Sequence, residues 1–600
     1  MKTDITGVWK EAGGLLWKTG GRIFTTHLAY TVLGVVLFAP LAGILGRLLL
    51  LISGQPALAD QDIVWFLLTP FGMAALILFS ALLVAIAAFE QASLMAVGAG
   101  KVQGLHIGVM QALYFTARRA GSIFSFTIRL VTRVLIITLP FLAAGGAVAW
   151  FLITEYDINY YLAEKPPVFL LAATAIGLVL LAMLLVLVRK LLAWSLALPL
   201  ILFSGVSPAR SFVESENLTQ GHKREILMAL AIWALVALLL GGIVLGCVQL
   251  LGSRLVPLFF DSINWLVLVL GGLVVLWLLG NLMITAVTSG SFACLLVIYQ
   301  RRYGADINTS DLVGSQQGRQ WQLTAPRWAL LLIGSAAVAA LVGTWLLNGI
   351  LVRDDVVVIA HRGAAGKAPE NTLTSLRQAI NDGADWIEID VQESIDGEVV
   401  VIHDSDFMKL AGVDLKVSNG TLQQMREIDI GSWFSPEFSA ERVPTLTEVL
   451  VDSRGQSRVV IELKYYDHDQ QLEQRVVDII EQADMVNDVA IMSLKYDGLQ
   501  KIRRLRPEWV VGLLSAKAIG NPASLDVDFL AVNMGMVTPR FIRRARLAGK
   551  QVFVWTVNDP VSMSRMMSLG VNGIITDEPE MAVNVLADRS GLSSVERLLV

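Results

Sequence analysis

The chain has 600 residues, a mean hydropathy of +0.62, 55% hydrophobic residues and only 16% charged residues. These values exclude an ordinary soluble protein of this length. The net charge of −4 and the pI near 6.0 lack the basic excess of a nucleic-acid-binding protein, so we expect no nucleic-acid partner.

The apolar residues are concentrated in the first part of the chain. Long apolar runs fill residues 27–350, whereas residues 353–600 have the composition of a soluble domain. We predict an all-α, multi-pass membrane domain over 1–352 and a second domain over 353–600. About seven spans, each near the ~20 residues that cross the hydrocarbon core, are predicted at 27–52, 63–89, 128–153, 168–188, 226–251, 263–290 and 328–351.

Three apolar blocks are longer than one span requires. Residues 63–100, 168–206 and 263–300 each fit either one helix plus an interfacial segment or two short helices. Two further segments, Leu105–Arg119 and Ser207–Gly221, have the amphipathic pattern of helices on the inner membrane surface. The number of crossings therefore stays open on the sequence alone.

Lysine and arginine are unevenly distributed over the connections between spans. Alternate connections are rich in them, as at Arg118-Arg119 and Arg301-Arg302. The opposite set carries two basic residues among six acidic ones and comprises 53–62, 154–167 and 252–262. Because basic connections stay in the cytoplasm, we expect a cytoplasmic N-terminus. An odd number of crossings then makes 353–600 extracytoplasmic, attached to the cell (cytoplasmic) membrane.

The tripeptide Ala57-Leu58-Ala59 imitates a signal-peptidase site. The apolar run before it has about 25 residues, longer than the roughly 7–15 of a signal sequence, so we predict an uncleaved transmembrane helix. The two cysteines, Cys247 and Cys294, lie in apolar segments, where we expect packed thiols rather than a disulfide or a metal site.

Charged residues lie near the ends of the predicted spans, namely Arg47, Glu90, Arg129 and Arg133. Such residues can mark a transport path, but snorkelling or helix pairing is the favoured interpretation. We expect no paired intramembrane charges. His27, His106 and His222 are expected to be structural or surface residues.

Residues 353–600 contain eight short apolar runs separated by helical or turn-rich stretches, a pattern typical of buried parallel strands. The strands are predicted at 356–360, 386–391, 458–463, 488–493, 510–514, 528–533, 551–556 and 572–576. Helices are predicted near 371–382, 445–453, 469–484, 496–505, 539–548, 560–569 and 579–588. The domain length is close to the ~250 residues of a (β/α)₈ barrel, and we predict that α/β fold, a TIM barrel.

One segment breaks the alternation of strands and helices. Asp396-Gly397 is a two-residue hairpin signal that folds 392–395 against 398–402. A small insertion follows, so that residues 396–443 stand outside the regular barrel pattern.

Polar residues follow the first predicted strand at its carboxyl end. The strand leads into His361-Arg362-Gly363, and Pro369-Glu370-Asn371-Thr372 then opens a helix. Catalytic groups of parallel α/β folds lie at strand carboxyl ends. A histidine beside an arginine supplies a proton-transfer group and a positive fork for a phosphate.

Acidic residues occupy one face of two neighbouring strands. Glu388 and Asp390 share a face because side chains alternate along a strand, and Glu462 and Lys464 repeat that pattern. Three carboxylates form a hard oxygen site for Ca²⁺ or Mg²⁺. A buried Glu–Lys or Asp–Arg network is the alternative, but it does not explain three carboxylates together with two histidines.

His403 ends the predicted hairpin and gives a second imidazole beside His361. One ring can take a proton from a nucleophile while the other gives one to a leaving alkoxide. The metal and Arg362 or Lys464 would neutralise phosphoryl oxygens. His468 has no motif around it and is expected in a surface loop.

These motifs together resemble the glycerophosphodiester phosphodiesterase family, of the phospholipase C-like TIM-barrel type. The resemblance covers most of 356–580 and the motifs that carry it are His361-Arg362-Gly363, Pro369-Glu370-Asn371-Thr372, Glu388-x-Asp390, His403-Asp404, Pro444-Thr445-Leu446, Glu462-Leu463-Lys464 and Trp555-Thr556-Val557-Asn558. The front part resembles, more loosely, the membrane domain fused to this enzyme in some bacterial members.

The resemblance implies a metal-dependent hydrolase that cleaves glycerophosphodiesters, or lipid head groups at the bilayer, to glycerol 3-phosphate and an alcohol. It implies an acid/base pair, His361 and His403. The metal ligands that it implies are Glu388, Asp390 and Glu462. It further implies phosphate-binding and pocket-lining residues, namely Arg362, Lys464, Glu370, Asn371 and Trp555.

A second hypothesis places the functional centre in the membrane part. That part is larger than an anchor requires, which suits a transporter or lipid-handling module. The barrel would then act on membrane lipids or glycerophosphate polymers, as a lysophospholipase D does.

Overall fold

The computed structural model describes residues 5–52, 57–259, 263–309, 312, 355–466 and 471–592. The chain forms two compact units. The first, called the membrane unit here, comprises 1–49, 67–146 and 176–345; the second, the barrel unit, comprises 50–66, 147–175 and 346–600. Two connections between apolar helices therefore fold with the carboxyl-terminal domain.

Six helices in the described part of the chain are long and apolar enough to cross a membrane. They are Ile5–Leu45, Pro70–Val102, Ala120–Ile153, Pro167–Phe203, Lys223–Phe259 and Leu268–Arg302. These helices confirm the first six predicted spans, while the seventh, 328–351, lies outside the described residues. The first helix begins at Ile5, before the predicted start of the first span at residue 27. Its first turns are polar, so no apolar run marks them in the sequence.

The three long apolar blocks each contribute one candidate span. Pro70–Val102 and Ile263–Arg302 are single helices of 33 and 40 residues. In the remaining block, Pro167–Ala193 is followed by a short, fully buried helix, Ala197–Phe203. The other helices before residue 310 are Ile5–Leu33, Ala39–Ile52 after a π-helical turn at Gly34–Phe38, Gln61–Leu68, Val109–Arg118, Ala120–Ile153, Ile158–Glu164, Ser211–Thr219 and Lys223–Leu255.

The two predicted amphipathic segments contain helices that bury one face in the membrane unit. Phe115 stacks on Phe203 with ring centroids 5.7 Å apart, and Phe212 stacks on Phe126 at 5.3 Å. Arg133 lies over the Phe212 ring at 4.2 Å, so this arginine is held by a cation–π contact.

A polar pair within the membrane unit corrects one expectation. His27 Nδ1 lies 2.6 Å from Glu90 Oε1, and His27 Nε2 lies 3.0 Å from Thr285 Oγ1. Helix pairing, the favoured interpretation for Glu90, is therefore confirmed, while the expected absence of paired charged groups was wrong for this carboxylate. The partners are 63 residues apart in sequence, and only helix packing brings them together. Cys247 and Cys294 are both free thiols. Cys294 is buried, as predicted, whereas Cys247 is exposed, so the prediction of a packed thiol was wrong there.

Eight parallel strands form the closed barrel, and each agrees with its prediction within about two residues. They are β1 (Val357–Ala360), β2 (Trp386–Glu393), β3 (Arg458–Leu463), β4 (Val489–Ser493), β5 (Val511–Ser515), β6 (Phe529–Asn533), β7 (Gln551–Trp555) and β8 (Gly573–Thr576). Neighbouring strands pair in chain order, and β8 pairs with β1 to close the ring. The carboxyl-terminal domain is a TIM barrel.

Seven helices cover the barrel, as predicted. They are Leu373–Asn381, Leu446–Ser453, Leu472–Gln482, Tyr496–Leu505, Pro539–Leu547, Pro560–Leu569 and Pro579–Ser590. Three begin with proline, which suits a first helical position because its missing N–H would be unpaired there. Inside the ring, Phe529 and Phe553 pack with centroids 4.9 Å apart in a cluster of buried apolar side chains.

The predicted hairpin is present after β2. Val399–Val401 pairs antiparallel with the end of β2, with Val391 opposite Val401. The segment that follows holds short strands and helices at Asp406–Phe407, Met408–Ala411, Val413–Lys416 and Leu422–Arg426. It has a small apolar core of its own, which includes Phe407 and Met425.

Two connections from the amino-terminal part complete the barrel unit. Ala57–Ala59 is a buried strand that pairs antiparallel with Ala518–Gly520. Asp60 accepts hydrogen bonds from the backbone N–H groups of Ala516 and Lys517 at 3.1 and 2.9 Å. The tripeptide that imitates a cleavage site is thus part of a small sheet.

Candidate active site

Three acidic side chains meet where β2 and β3 run side by side. Parallel pairing places Asp390 opposite Glu462, and Glu388 lies two residues before Asp390 on the same face. All three are buried, and one oxygen from each lies within 4.8 Å of the others. This geometry suits a single cation bound through carboxylate oxygens.

Two basic residues contact this acidic cluster. Lys464 Nζ lies 2.9 Å from Glu462 Oε1 and 3.3 Å from Asp390 Oδ1. Arg362 Nε lies 3.3 Å from Asp390 Oδ2, and the Arg362 backbone N–H donates to Glu388 Oε2 at 2.9 Å. Arg362 also donates to Glu370, so its charge is shared with a fourth carboxylate.

Burial and neighbouring charges shift the pKa values of the three carboxyl groups in different directions. Burial, with repulsion from Asp390 and Glu462, raises the pKa of Glu388 well above its usual range. Burial also raises the pKa of Glu462, to about 7, with Lys464 opposing the shift. Burial acts in the same direction on Asp390, but attraction from Lys464, His403 and Arg362 outweighs it and holds that pKa low.

The cluster fits a hard divalent cation. Glu462 Oε1 is buried and accepts no hydrogen bond from the described residues, although Lys464 is close. An added positive ion would favour the ionised carboxylates and so oppose the burial that raises the pKa values of Glu388 and Glu462. Carboxylate oxygens alone make a donor set for Ca²⁺ or Mg²⁺ rather than for a softer metal.

Each predicted histidine is paired with a carboxylate. His361 Nδ1 lies 2.6 Å from Asp577 Oδ1, and His403 Nδ1 lies 2.7 Å from Asp404 Oδ1. Burial raises the pKa of both aspartates, but the hydrogen bonds from the histidines outweigh it and lower them. Because an ionised carboxylate only accepts, Nδ1 carries the proton and Nε2 is the basic atom of each ring.

The loop after β1 is held in an unusual backbone conformation. Arg362 and Asn371 have positive φ angles of 53° and 57°, which few side chains adopt without support. Asn371 supplies that support, because its amide donates to Asp390 Oδ2 at 3.0 Å and accepts from the Asp390 backbone at 3.2 Å. The strained turn thereby fixes Arg362 beside the acidic cluster.

The structure joins seven of the predicted residues in one network of hydrogen bonds and ion pairs: Arg362, Glu370, Asn371, Glu388, Asp390, Glu462 and Lys464. His361 adjoins it in sequence, and His403 approaches it through Asp404 and Lys409. Trp555 lies apart: it packs on the apolar barrel interior, and its indole N–H donates to the Ala531 carbonyl. His468 lies outside the described residues.

Sequence reasoning missed Asp577 and Lys409. Asp577 directly follows β8, and barrel closure brings β8 beside β1 and His361. Its position after the last strand was the available signal. Lys409 lies in the insertion and pairs with Glu370 at 2.9 Å, a contact that no local pattern indicates.

Comparison with known proteins gives two matching families. Residues 361–581 match the glycerophosphoryl diester phosphodiesterase family, and residues 15–351 match the membrane domain of glycerophosphoryl diester phosphodiesterase. The second match alone spans more than half of the chain. The chain belongs to the glycerophosphodiester phosphodiesterase family. As a member of it, the protein is a phosphoric diester hydrolase that carries the membrane domain associated with this enzyme.

Individual relatives of this phosphodiesterase match its barrel. A putative glycerophosphodiester phosphodiesterase, YhdW, of Bacillus subtilis is 31% identical over 233 residues, which cover 38% of this chain and 96% of the relative. The glycerophosphodiester phosphodiesterase of Caldanaerobacter subterraneus is 31% identical over 243 residues, covering 38% and 97%. A solved phosphodiesterase of Oleispira antarctica, in complex with sn-glycerol-3-phosphate, is 28% identical, covers 38% and 96%, and has a TM-score of 0.36.

Proposed function

We propose that this protein is a membrane-bound, divalent-metal-dependent glycerophosphodiester phosphodiesterase. It hydrolyses a glycerophosphodiester, or a lipid head group of that chemistry, to glycerol 3-phosphate and an alcohol. The membrane domain occupies 1–352 and the catalytic domain 353–600, with the insertion at 396–443. The observation that carries the proposal is the buried trio Glu388, Asp390 and Glu462 beside two carboxylate-paired histidines.

The three carboxylates hold the cation, either Ca²⁺ or Mg²⁺. A cation bound there polarises the phosphoryl group and offsets the negative charge that develops on its oxygens. Arg362 and Lys464 lie against the same cluster and supply positive charge for the phosphate. Asn371 and Glu370 hold the loop that carries Arg362. A pocket-lining role for Trp555 stays a prediction, because this side chain packs on the apolar barrel interior.

His361 and His403 act as the acid/base pair. One imidazole accepts the proton of the attacking oxygen at Nε2, while the other donates a proton to the departing alkoxide, so that an alcohol leaves. Asp577 and Asp404 hold the two Nδ1–H groups and thereby fix the tautomer in which Nε2 exchanges the proton. Burial lowers the pKa of His403, which keeps this ring neutral and ready to accept a proton near neutral pH.

The catalytic domain lies on the extracytoplasmic side of the cytoplasmic membrane. Two connections poor in lysine and arginine, 53–62 and 154–167, contribute most of their length to the barrel unit. Pairing of Ala57–Ala59 with Ala518–Gly520 supports a location of the barrel on the side that these connections occupy. This orientation requires a seventh crossing, for which 328–351 is the candidate.

The test uses purified full-length protein with glycerophosphocholine and glycerophosphoethanolamine as substrates. Release of the alcohol measures hydrolysis. His361→Ala and Glu388→Ala should each lower kcat at least about 1,000-fold, since each removes a group needed in the transition state. His106→Ala, an exposed histidine of the membrane unit, is the matched control and should leave kcat unchanged. Full activity in either site variant would refute the proposal.

A further inference from the structure

A segment between the third and fourth apolar helices folds into the barrel unit beside His403. Asp157 caps the short helix Ile158–Glu164 by accepting the Asn159 backbone N–H at 2.9 Å. Its second oxygen accepts from the Ser405 backbone at 3.1 Å, and its own backbone N–H donates to Asp406 at 2.6 Å. These contacts anchor the start of the helix on the two residues that follow Asp404.

The anchored helix presents an amide to the partner of His403. Asn159 Nδ2 donates to Asp404 Oδ1 at 2.8 Å, and the same oxygen lies 2.7 Å from His403 Nδ1. The other oxygen, Asp404 Oδ2, is buried and has no hydrogen-bond partner among the described residues. Lys409 Nζ lies 4.0 Å from Oδ2, while the hydrogen bonds that orient the carboxylate converge on Oδ1, from Asn159 and His403.

We propose that Asn159 is a positioning residue for the acid/base chemistry of His403. This inference rests on the proposed function, because it assumes that His403 transfers a proton. A carboxylate rotates readily about its terminal bond, and a second donor on Oδ1 removes that freedom. A fixed Asp404 fixes the imidazole plane and the direction of Nε2. A connection between two predicted spans thus supplies part of the catalytic geometry.

The residue that orients Asp404 lies outside the part of the chain that matches the phosphodiesterase family. The segment that matches the phosphodiesterase family, 361–581, does not include Asn159, which lies within the segment that matches the membrane-domain family. The membrane domain is accordingly more than an anchor, since its connection at 154–164 supports the catalytic centre. The orientation of His403 in this protein depends on residues on both sides of position 353.

The experiment compares variants of the full-length protein by steady-state kinetics on glycerophosphocholine. Asn159→Ala should lower kcat about 10-fold with KM changed less than about two-fold, as expected for loss of a hydrogen bond to a charged group that orients a catalytic base. The isosteric Asn159→Asp should lower kcat further, because a second carboxylate repels Asp404. Leu162→Ala, an exposed position on the same helix, is the control and should match the parent protein.

A double-mutant cycle with Asp404→Asn separates positioning from a general structural role. If Asn159 acts through Asp404, Asn159→Ala should cost less than about two-fold in the Asp404→Asn background. Unchanged kcat in both Asn159 variants, or an equal loss in both backgrounds, would overturn the inference. If Asn159→Ala fails to fold, the isosteric Asp variant carries the same test.

Failure of the positioning role and failure of the proposed function are distinguishable. His403→Ala should be inactive whatever the outcome at position 159. A fully active His403→Ala variant contradicts the proposed function, whereas an inactive one combined with fully active Asn159 variants contradicts only the positioning role.

Discussion

Glu388 and Glu462 have raised pKa values, while Asp390 between them stays ionised. The difference has a physical cause, since Asp390 alone contacts both Arg362 and Lys464. In the metal-free protein, the raised pKa values favour protonation of the two glutamates that a bound cation would keep ionised. Metal binding must therefore release protons and become weaker in acid.

Metal affinity is predicted to fall with pH. Because the folded pKa of Glu462 is raised to about 7, this group is mostly ionised at pH 8 and mostly protonated at pH 6. The apparent Kd for Ca²⁺ or Mg²⁺ should rise at least about 10-fold between these values, with the raised pKa of Glu388 adding to the change. Calorimetry in buffers of different ionisation enthalpy measures both the affinity and the protons released. A Kd independent of pH would contradict this electrostatic description.

Asp577 is predicted to act through His361. Asp577→Asn keeps the size of the side chain but removes the charge that fixes the Nδ1–H tautomer. We expect a loss of about 100-fold in kcat, within the range that positioning partners of catalytic groups produce. Asp526→Asn, an exposed aspartate of the same domain, is the control and should be unaffected. Equal rates for both variants would remove Asp577 from the site.

Most residues of the candidate site could be predicted from the sequence because they occur as dense motifs on or just after strands, such as Glu388-x-Asp390 within β2. Asp577 and Lys409 could not, since each acts on a residue that is distant in sequence. The contact between His27 and Glu90 was not predicted, for the same reason. A contact across helices leaves no periodic pattern in either helix.

Strands of the barrel were predictable to within about two residues, and helices to within about three, because their signals are local. Parallel strands buried on both faces give continuous apolar runs, and Asp396-Gly397 marks the hairpin after β2. Ala57–Ala59 carries no comparable signal, because its pairing partner lies more than 450 residues away. The start of the first helix at Ile5 was missed because its first turns are polar and mildly basic.

The small sheet formed by Ala57–Ala59 and Ala518–Gly520 is predicted to depend on Asp60. Asp60→Ala removes two acceptors from the Ala516 and Lys517 amides, and alanine also disfavours the positive φ of 41° at this position. Hydrogen exchange of residues 516–520 should accelerate at least about 10-fold, corresponding to the loss of about 1–3 kcal/mol locally. Amides of β2 serve as the internal control, and unchanged exchange at 516–520 would show that Asp60 does not hold this sheet.

On the scale of the whole molecule, the topology follows from the unequal distribution of basic residues over the connections. Six candidate spans agree with that pattern in the described part of the chain. The barrel unit includes two of the connections that are poor in basic residues, which supports the proposed extracytoplasmic location of the catalytic domain.

This orientation predicts the reactivity of engineered cysteines. In a background with Cys247 and Cys294 replaced by alanine, Ser524→Cys in the barrel should react with a membrane-impermeant maleimide in right-side-out vesicles. Gln103→Cys, an exposed position in a basic connection, should react only after permeabilisation. Labelling of both cysteines only after permeabilisation would place the catalytic domain in the cytoplasm and remove the seventh crossing. The reverse labelling pattern would instead show that the whole topology is inverted.

Metal-dependent hydrolysis by the full-length protein is the most direct measurement of the central claim. Chelator-stripped protein is titrated with Ca²⁺ and, separately, with Mg²⁺ while alcohol release from glycerophosphocholine is followed. We predict that one equivalent of one of these ions restores activity, and that Glu388→Ala protein neither binds that ion tightly nor regains activity. Undiminished hydrolysis by the stripped protein, or equally tight binding by the Glu388→Ala variant, would contradict a catalytic cation held by Glu388, Asp390 and Glu462.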